Sequence, residues 1–505
     1  MLPDNVLLEV FHFYRVDPPS SWPGSILGFI NLGRIPFLWK WQLLTQVCRR
    51  WRCIVLGSPR RLDLRVVCTG KASTRPLLDI WPTFPIAIFC LQLVDKKGVE
   101  NIIAALERHD RTSDILIASI NGSALEKLGV VMQEPFPALR SFYLRSTDDS
   151  VPDLPEKFLG GVQSAPRLHT FSLSGIPFPS FPKFILSVTH ITDLHLLDIP
   201  HSGYISPEIM ATCAAMLPKL DRLLIGFRSP LSRPPQMSPP RLTRAILPAL
   251  TRLTFSGVSE YFEDFVTRID TPLLYRLSAT FFLDLIFDIP RFHDFINRTE
   301  TLGPSTQAEM MFSGPLIRMT LGSPTRFELE IKCERPDWQL SSMTHILSRQ
   351  LPLLAHTEHL KIRENTSASM KCKDDPDMDS LQWLELFRLF IAVQSLYVSE
   401  NLVPPVAAAL QELTGGMAIE VLPALHNLSL EGLEPSGHVQ EGIQSFVTAR
   451  QLSGRPVTAR SHPAGSLRVL GKADALLREA SERLDECRDT VDSAKYDLAQ
   501  GLLEM

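Results

Sequence analysis

No stretch of this 505-residue chain supplies the roughly 20 uninterrupted apolar residues of a membrane-spanning helix. The N-terminus lacks the basic region and apolar run of an export signal, so a cytoplasmic or nuclear protein, not a secreted one, is expected. The eight cysteines, at 48, 53, 68, 90, 213, 333, 372 and 487, fall into no zinc-ligand spacing and outline no disulfide framework. In a reducing compartment the sequons at Asn121, Asn297, Asn365 and Asn427 are chance matches. A net charge of −4 excludes a global field that would steer the chain to nucleic acid or an anionic membrane. Also missing are a P-loop, a Rossmann glycine pattern, H-E-x-x-H and G-x-S-x-G. His190, His195 and His201 lie close together, but without carboxylate or cysteine companions at recurring spacing. The expectation is a non-enzyme with no cofactor and no metal.

What is present points to folded structure. Apolar residues make up 45% and charged residues 21%, the balance of a folded soluble protein. The length suggests two to four domains or one elongated repeat array. From about residue 60 the pattern apolar-x-x-apolar-x-apolar recurs, as in Leu139-Arg-Ser-Phe142-Tyr-Leu144, Leu168-His-Thr-Phe171-Ser-Leu173 and Ile191-Thr-Asp-Leu194-His-Leu196. It returns at Leu220, Leu250, Thr357, Val393 and Leu425. First positions at 139, 168, 191, 220 and 250 are separated by 29, 23, 29 and 30 residues. Earlier strands are expected at Leu62–Val66, Ile86–Ile88 and Ile115–Ile117. Between about 280 and 350 the rhythm is ragged, with Phe327-x-Leu329-x-Ile331 its clearest strand.

Alternation marks short strands with one buried face. Lead-ins such as Phe136-Pro137-Ala138, Ala165-Pro166-Arg167, Leu217-Pro218-Lys219 and Leu422-Pro423-Ala424 end the preceding helix. Helical patterns at Ile205–Met216, Glu260–Ile269 and Leu381–Phe390 fill the intervals. Stacked strand–helix units form a parallel sheet backed by helices, an α/β solenoid. The pattern resembles leucine-rich repeats over about residues 60 to 455. It departs from them in having no Asn at the ladder position, where Ser174-Gly175-Ile176 and Ser256-Gly257-Val258 stand instead.

Two helical segments precede the array. Pro3 and Asp4 suit a first helical turn, and Leu7, Val10, Phe11 and Tyr14 follow at helical spacing, widened by Val6 and Leu8. Leu44, Val47, Trp51 and Ile54 form a second stripe, broadened by Leu43, Cys48 and Val55 and stopped by Gly57 and Pro59. These residues, with Leu2-Pro3 ahead of Val47-Cys48-Arg49-Arg50-Trp51-Arg52, resemble the F-box. That module docks substrate receptors onto the Skp adaptor, and through it cullin, in SCF-type ubiquitin ligases. The resemblance gives Pro3, Leu7, Leu8, Phe11, Leu44, Val47, Cys48 and Trp51 the role of facing the adaptor or packing the module. Pro3 and Val47 are 44 positions apart, farther than in the usual F-box. The extra stretch at 16–40 is an inserted packing element or additional adaptor surface.

Together with Ser58-Pro59-Arg60-Arg61-Leu62-Asp63-Leu64, Leu78-Asp79-Ile80-Trp81-Pro82 and the Phe446–Val457 segment, these features look like the large F-box family of mushroom-forming (basidiomycete) fungi. The resemblance implies an F-box-like module at 1–58, an irregular leucine-rich-repeat solenoid at 59–457, and a linker with a long C-terminal helix at 458–505. It further implies a substrate receptor for ubiquitin-dependent protein catabolism; the alternative is a leucine-rich scaffold with a degenerate F-box.

On such a solenoid the residues between buried leucines line the concave face and would bind the target: Tyr143, Arg145, His195, Arg222, Arg252, His359, Lys361, Arg363, Tyr397 and Glu431. Their basic tilt suggests an acidic or phosphorylated target. Pro-rich 228–240 and polar 364–380 read as surface loops, open to partner contact. In the tail, Leu470, Leu477, Leu484, Val491 and Leu498 stand seven apart, either capping the solenoid or forming a coiled coil with itself or a partner.

Overall fold

Proline-led turns set the pitch of the array. In Phe136-Pro137-Ala138-Leu139, Ala165-Pro166-Arg167-Leu168 and Leu217-Pro218-Lys219-Leu220, the leucine N–H closes onto the first carbonyl at 3.1 Å each time. Proline occupies the second position, where its fixed φ suits the turn. The same turn recurs at Leu247–Leu250, Thr271–Leu274 and Leu422–Leu425, at 3.4, 3.3 and 3.0 Å. The proline lead-ins therefore do more than end a helix: each one starts the next strand.

The computed structural model describes residues 2–14, 40–58, 65–71, 73–81, 84–92, 95–146, 148, 151–161, 165–228, 244–282, 289–322, 326–332, 336–348, 352–364, 380–413, 420–432 and 437–462. The 16–40 insertion (Lys40 apart), Leu62 and Leu64, nearly all of both surface loops, and the heptad tail lie outside these residues. No helix among the described residues is long and apolar enough to cross a membrane.

The chain divides into two compact units, residues 1–229 and 230–505. The first begins with helices α1 (Asp4–Tyr14), α2 (Lys40–Val47) and α3 (Arg49–Gly57). Seven parallel strands follow in sequence order: β1 (Val66–Cys68), β2 (Ile86–Cys90), β3 (Thr112–Ile120), β4 (Ser141–Ser146), β5 (Thr170–Ser174), β6 (Asp193–Ile199) and β7 (Arg222–Phe227). Helices α4 (Thr74–Ile80), α5 (Lys96–Leu106), α6 (Gly122–Val131), α7 (Phe181–Ile185) and α8 (Pro207–Ala215) lie between them. Asp95, Asn121 and Ser206 cap α5, α6 and α8 by accepting backbone N–H groups at 2.7, 2.9 and 3.3 Å.

Register lines the buried side chains into columns. Ile88, Ile115, Phe142, Phe171, Leu194 and Leu223 stand strand by strand in one row, each at most 1% exposed. Phe158 and Phe184 pack onto it, with ring centroids 5.3 Å from Phe142 and 4.8 Å from Phe171. Where an asparagine ladder would run, main-chain bonds tie the strand entries. His169 and Thr170 N–H share the Arg140 carbonyl, and Thr192 and Asp193 share that of His169. Asp221 and Arg222 share that of Thr192.

The second unit contains β8 (Ala245–Ile246), β9 (Arg252–Gly257), α9 (Ser259–Val266), β10 (Ile269–Asp270), β11 (Arg276–Phe282), α10 (Pro290–Arg298), β12 (Gln307–Ser313), β13 (Leu316–Leu321), β14 (Phe327–Lys332) and α11 (Pro336–Ser348). It continues through β15 (His359–Glu364), α12 (Ser380–Arg388), β16 (Ser395–Val398), α13 (Val403–Gln411), β17 (Asn427–Glu431), α14 (His438–Leu452) and β18 (Thr458–His462). Strand order is β9-β11-β14-β13-β12-β15-β16-β17-β18. The ragged stretch is thus an antiparallel meander, β12-β13-β14, set into a parallel sheet. Gly314, at φ 54°, opens the Gly314-Pro315 connection that makes the first reversal. Parallel pairing resumes on both sides, Leu277 with Phe327 and Ala308 with Leu360.

Two boundaries move. The stripe from Leu44 to Ile54 is not one helix: Cys48, at φ −159°, breaks it and caps α3 through its sulfur, 3.4 Å from the Trp51 nitrogen. At the other end the array continues past Val457 to His462, because exposed β18 pairs with β17. A polar edge strand such as Thr-Ala-Arg-Ser-His carries no alternation of apolar residues for sequence reading to detect.

Candidate functional site

Three surfaces hold the residues singled out from the sequence. In the helical module, Leu7, Leu8, Phe11 and Leu44 are buried, together with Ile54 and Val55. Phe11 meets half-buried Trp51 edge-on, with centroids 4.7 Å apart. Arg50 ties the module shut: its guanidinium reaches Asp4 Oδ1 at 2.6 Å and the Leu2 carbonyl at 2.5 Å. Arg52 Nε donates to the Thr45 carbonyl at 2.9 Å, bracing α3 against α2. Pro3, Val47 and Cys48 are exposed. So are Leu2, Val6, Val10 and Leu43, leaving an apolar stripe at four-residue steps on α1 and another, Leu43 and Val47, on α2.

On the non-core face of the first sheet, Tyr143, Ser172 and His195 stand side by side in register. Arg145 hydrogen-bonds to the Tyr143 hydroxyl, and Ser174 Oγ donates to Asp198 at 2.8 Å. Arg145 Nε, Ser172 Oγ and His195 Nε2 are buried with no hydrogen-bond partner among the described residues. Burial pushes the His195 imidazole down to about 4, with Asp193 opposing that shift and Arg222 adding to it, so His195 is neutral at pH 7. Burial likewise raises Tyr143. Arg222 pairs with Asp193 at 3.0 Å. Leu116 and Leu224 flank this row and are also buried. The face expected to be solvated is therefore closed at its centre.

In the second unit, alternation holds cleanly from β9 to β16. Its non-core face carries Lys361 beside Glu309 and Tyr397, with the ammonium 5.9 Å from the Tyr397 ring centre. Arg363 pairs with Glu309 at 3.1 Å, and the Tyr397 hydroxyl donates to Glu431 at 2.6 Å. Burial, then that carboxylate, raises the Tyr397 phenol well above its usual range. His359 is exposed at the strand's start, and Arg252 donates to the Tyr275 hydroxyl at 2.9 Å. The meander adds Arg318, which reaches Glu328 at 3.1 Å and Glu330 at 2.6 Å.

The basic tilt of the sequence candidates is accordingly offset on this face by carboxylates from neighbouring strands. Pairing across strands decides that balance, and single-sequence alternation does not give it. The Phe-Glu-Leu-Glu-Ile-Lys alternation at 327–332 did carry the signal for Glu328 and Glu330. The candidates lie on the helical module and on a sheet face within each of the two units.

No family model matches the chain, and no curated protein does. Among solved structures, the leucine-rich repeat-containing protein LegL7 from Legionella pneumophila is similar at 12% identity, over 65% of this chain and 95% of that one. Its TM-score is 0.28, too remote a likeness to assign fold or function. The described residues form mixed α/β structure in which parallel strands alternate with helices, of the kind that leucine-rich repeats build.

Proposed function

We propose that the chain is a non-catalytic interaction protein acting as the substrate receptor of an SCF-type ubiquitin ligase. In this reading α1–α3 dock the Skp adaptor and, through it, cullin, while the array faces hold the target protein. The supporting observation is the two-faced helical module: one set of apolar side chains closes its core, and Leu2, Val6, Val10, Leu43 and Val47 remain exposed. Exposed aliphatic residues at four-residue steps are the signature of a helix surface that awaits a partner. Holding adaptor and target on one chain makes their meeting intramolecular, which raises effective concentration without any chemistry of its own.

A second reading, a leucine-rich scaffold with a degenerate F-box, draws on the inward packing of Leu7, Leu8, Phe11 and Leu44, which takes half of the matched residues out of reach. Co-expression with a Skp-family adaptor separates the two. The receptor reading expects the full chain to co-purify with the adaptor and a chain lacking residues 1–58 not to. An intact, folded chain that captures no adaptor supports the scaffold.

A further inference from the structure

Three polar groups on neighbouring strands of the first unit are left unmatched at one place. Phe142, Leu144, Phe171, Leu173, Leu194 and Leu196 are buried in the core, so alternation sets Tyr143, Arg145, Ser172 and His195 on the opposite face. Ser172 lies between Tyr143 and His195 in register. Arg145 stands two residues beyond Tyr143, and its bond to the Tyr143 hydroxyl brings its side chain back over the same row. Arg145 Nε, Ser172 Oγ and His195 Nε2 are buried there with no hydrogen-bond partner among the described residues.

Neighbouring groups do not supply the missing acceptor. No carboxylate pairs with Arg145 among the described residues, and the phenol it meets is neutral at pH 7, since burial raises Tyr143. Asp193 is engaged by Arg222 at 3.0 Å and by the Thr192 hydroxyl at 2.7 Å. Asp198 accepts the Ser174 hydroxyl at 2.8 Å. Buried Leu116 and Leu224 close the two ends of the row. In such an apolar frame a guanidinium and two neutral polar groups favour an anion more than they would in water. Ser172 and His195 are 1% and 9% exposed, whereas Tyr143, Arg145, Leu197 and Asp198 around them are half-buried, which leaves a way in from solvent.

We propose that Arg145, Ser172 and His195 form a binding site for the carboxylate of a small monocarboxylic acid. The Arg145 Nε–H and the Ser172 hydroxyl donate to it, and the neutral imidazole does so from the tautomer with its proton on Nε2. The Asp198 carboxylate, whose charge already acts on Tyr143, opposes a second negative charge and so selects a monoanion. The closed floor admits a group of a few atoms and excludes a polypeptide. This site requires no adaptor and is independent of the receptor reading.

The test titrates the full chain, carrying isotope-labelled histidine, with sodium acetate at pH 7 and constant ionic strength. The His195 side-chain resonances, identified by their loss in H195Q, report binding. Wild type is expected to show a saturable shift with a millimolar midpoint. R145Q is expected to weaken acetate about tenfold, and S172A about threefold. Asn tolerates the φ of 48° at position 198, so D198N should fold, tighten acetate about threefold and admit inorganic phosphate. A row with a purely structural role would show no such gain. Absence of a saturable shift, an equal shift on titration with chloride alone, or wild-type affinity in R145Q or in D198N would overturn the proposal.

Discussion

His195 illustrates how a residue's place, rather than its type, fixes its behaviour. It sits on the face that alternation assigns to solvent, yet it is 9% exposed and its imidazole is pushed down to about 4. The unfolded chain therefore binds a proton that the folded one refuses between pH 6.5 and about 4. Stability from this residue is complete above pH 6.5 and is lost as pH falls through that window, by up to about 3 kcal/mol. Urea unfolding of wild type and His195→Gln at pH 7 and pH 4.5 checks this: the wild type should lose more stability on acidification than the variant. Equal losses would show that His195 is not buried as described.

Among the described residues the cysteines divide in the same way. Burial pushes Cys68 up to about 12 and Cys90 and Cys213 up to about 11, while Cys48 and Cys53 are exposed. Site-resolved maleimide labelling of the native chain should modify Cys48 and Cys53 first, and Cys68, Cys90 and Cys213 only on denaturation. Residue-by-residue legibility was correspondingly uneven. Phe142, Phe171, Leu194 and Leu223 were readable as core because period two puts them on one face. The burial of Ser172 and His195 was not readable, since it depends on what surrounds the other face.

Among elements, the proline turn and the buried arginine do the joining. Arg450 is fully buried and donates to the Leu425 carbonyl at 3.0 Å and the Pro423 carbonyl at 3.3 Å, bracing α14 against the turn that starts β17. Arg111 does similar work earlier, donating to the Trp81 carbonyl at 2.7 Å. Arg450→Met keeps most of the apolar stem but leaves buried carbonyls unmet, and should cost about 2–3 kcal/mol in chemical denaturation. No loss would mean that water reaches those carbonyls.

Strand and helix positions in the regular repeats were legible because each carries its own apolar period and its own proline. The β12–β14 meander was not, since its strands read like the others and only pairing reveals the reversal. The break at Cys48 was hidden because the apolar spacing runs straight through it.

The whole molecule combines a helical module that leaves aliphatic side chains exposed with strand–helix repeats whose non-core sheet faces carry polar residues. The division between residues 229 and 230 falls in the Pro-rich stretch that composition marks as a break in the rhythm. The helices of the module were legible in the sequence through the apolar stripes Leu7-Val10-Phe11 and Leu44-Val47-Trp51. The sequence did not separate the module's inward residues from its outward ones, because both stripes wrap more than half of a short helix. That separation now permits a sharper test than a substitution at Leu8 or Phe11, which would unfold the module.

The most direct measurement is the affinity of the full chain for a purified Skp-family adaptor, compared with Val47→Asp and Val10→Asp. Both positions are exposed, at 59% and 47%, so neither change should lower stability by more than about 0.5 kcal/mol. The receptor reading predicts tight binding by wild type and at least a tenfold loss in each variant, with unchanged unfolding midpoints. Wild-type affinity retained in both variants, or no adaptor binding by the intact chain, would contradict it.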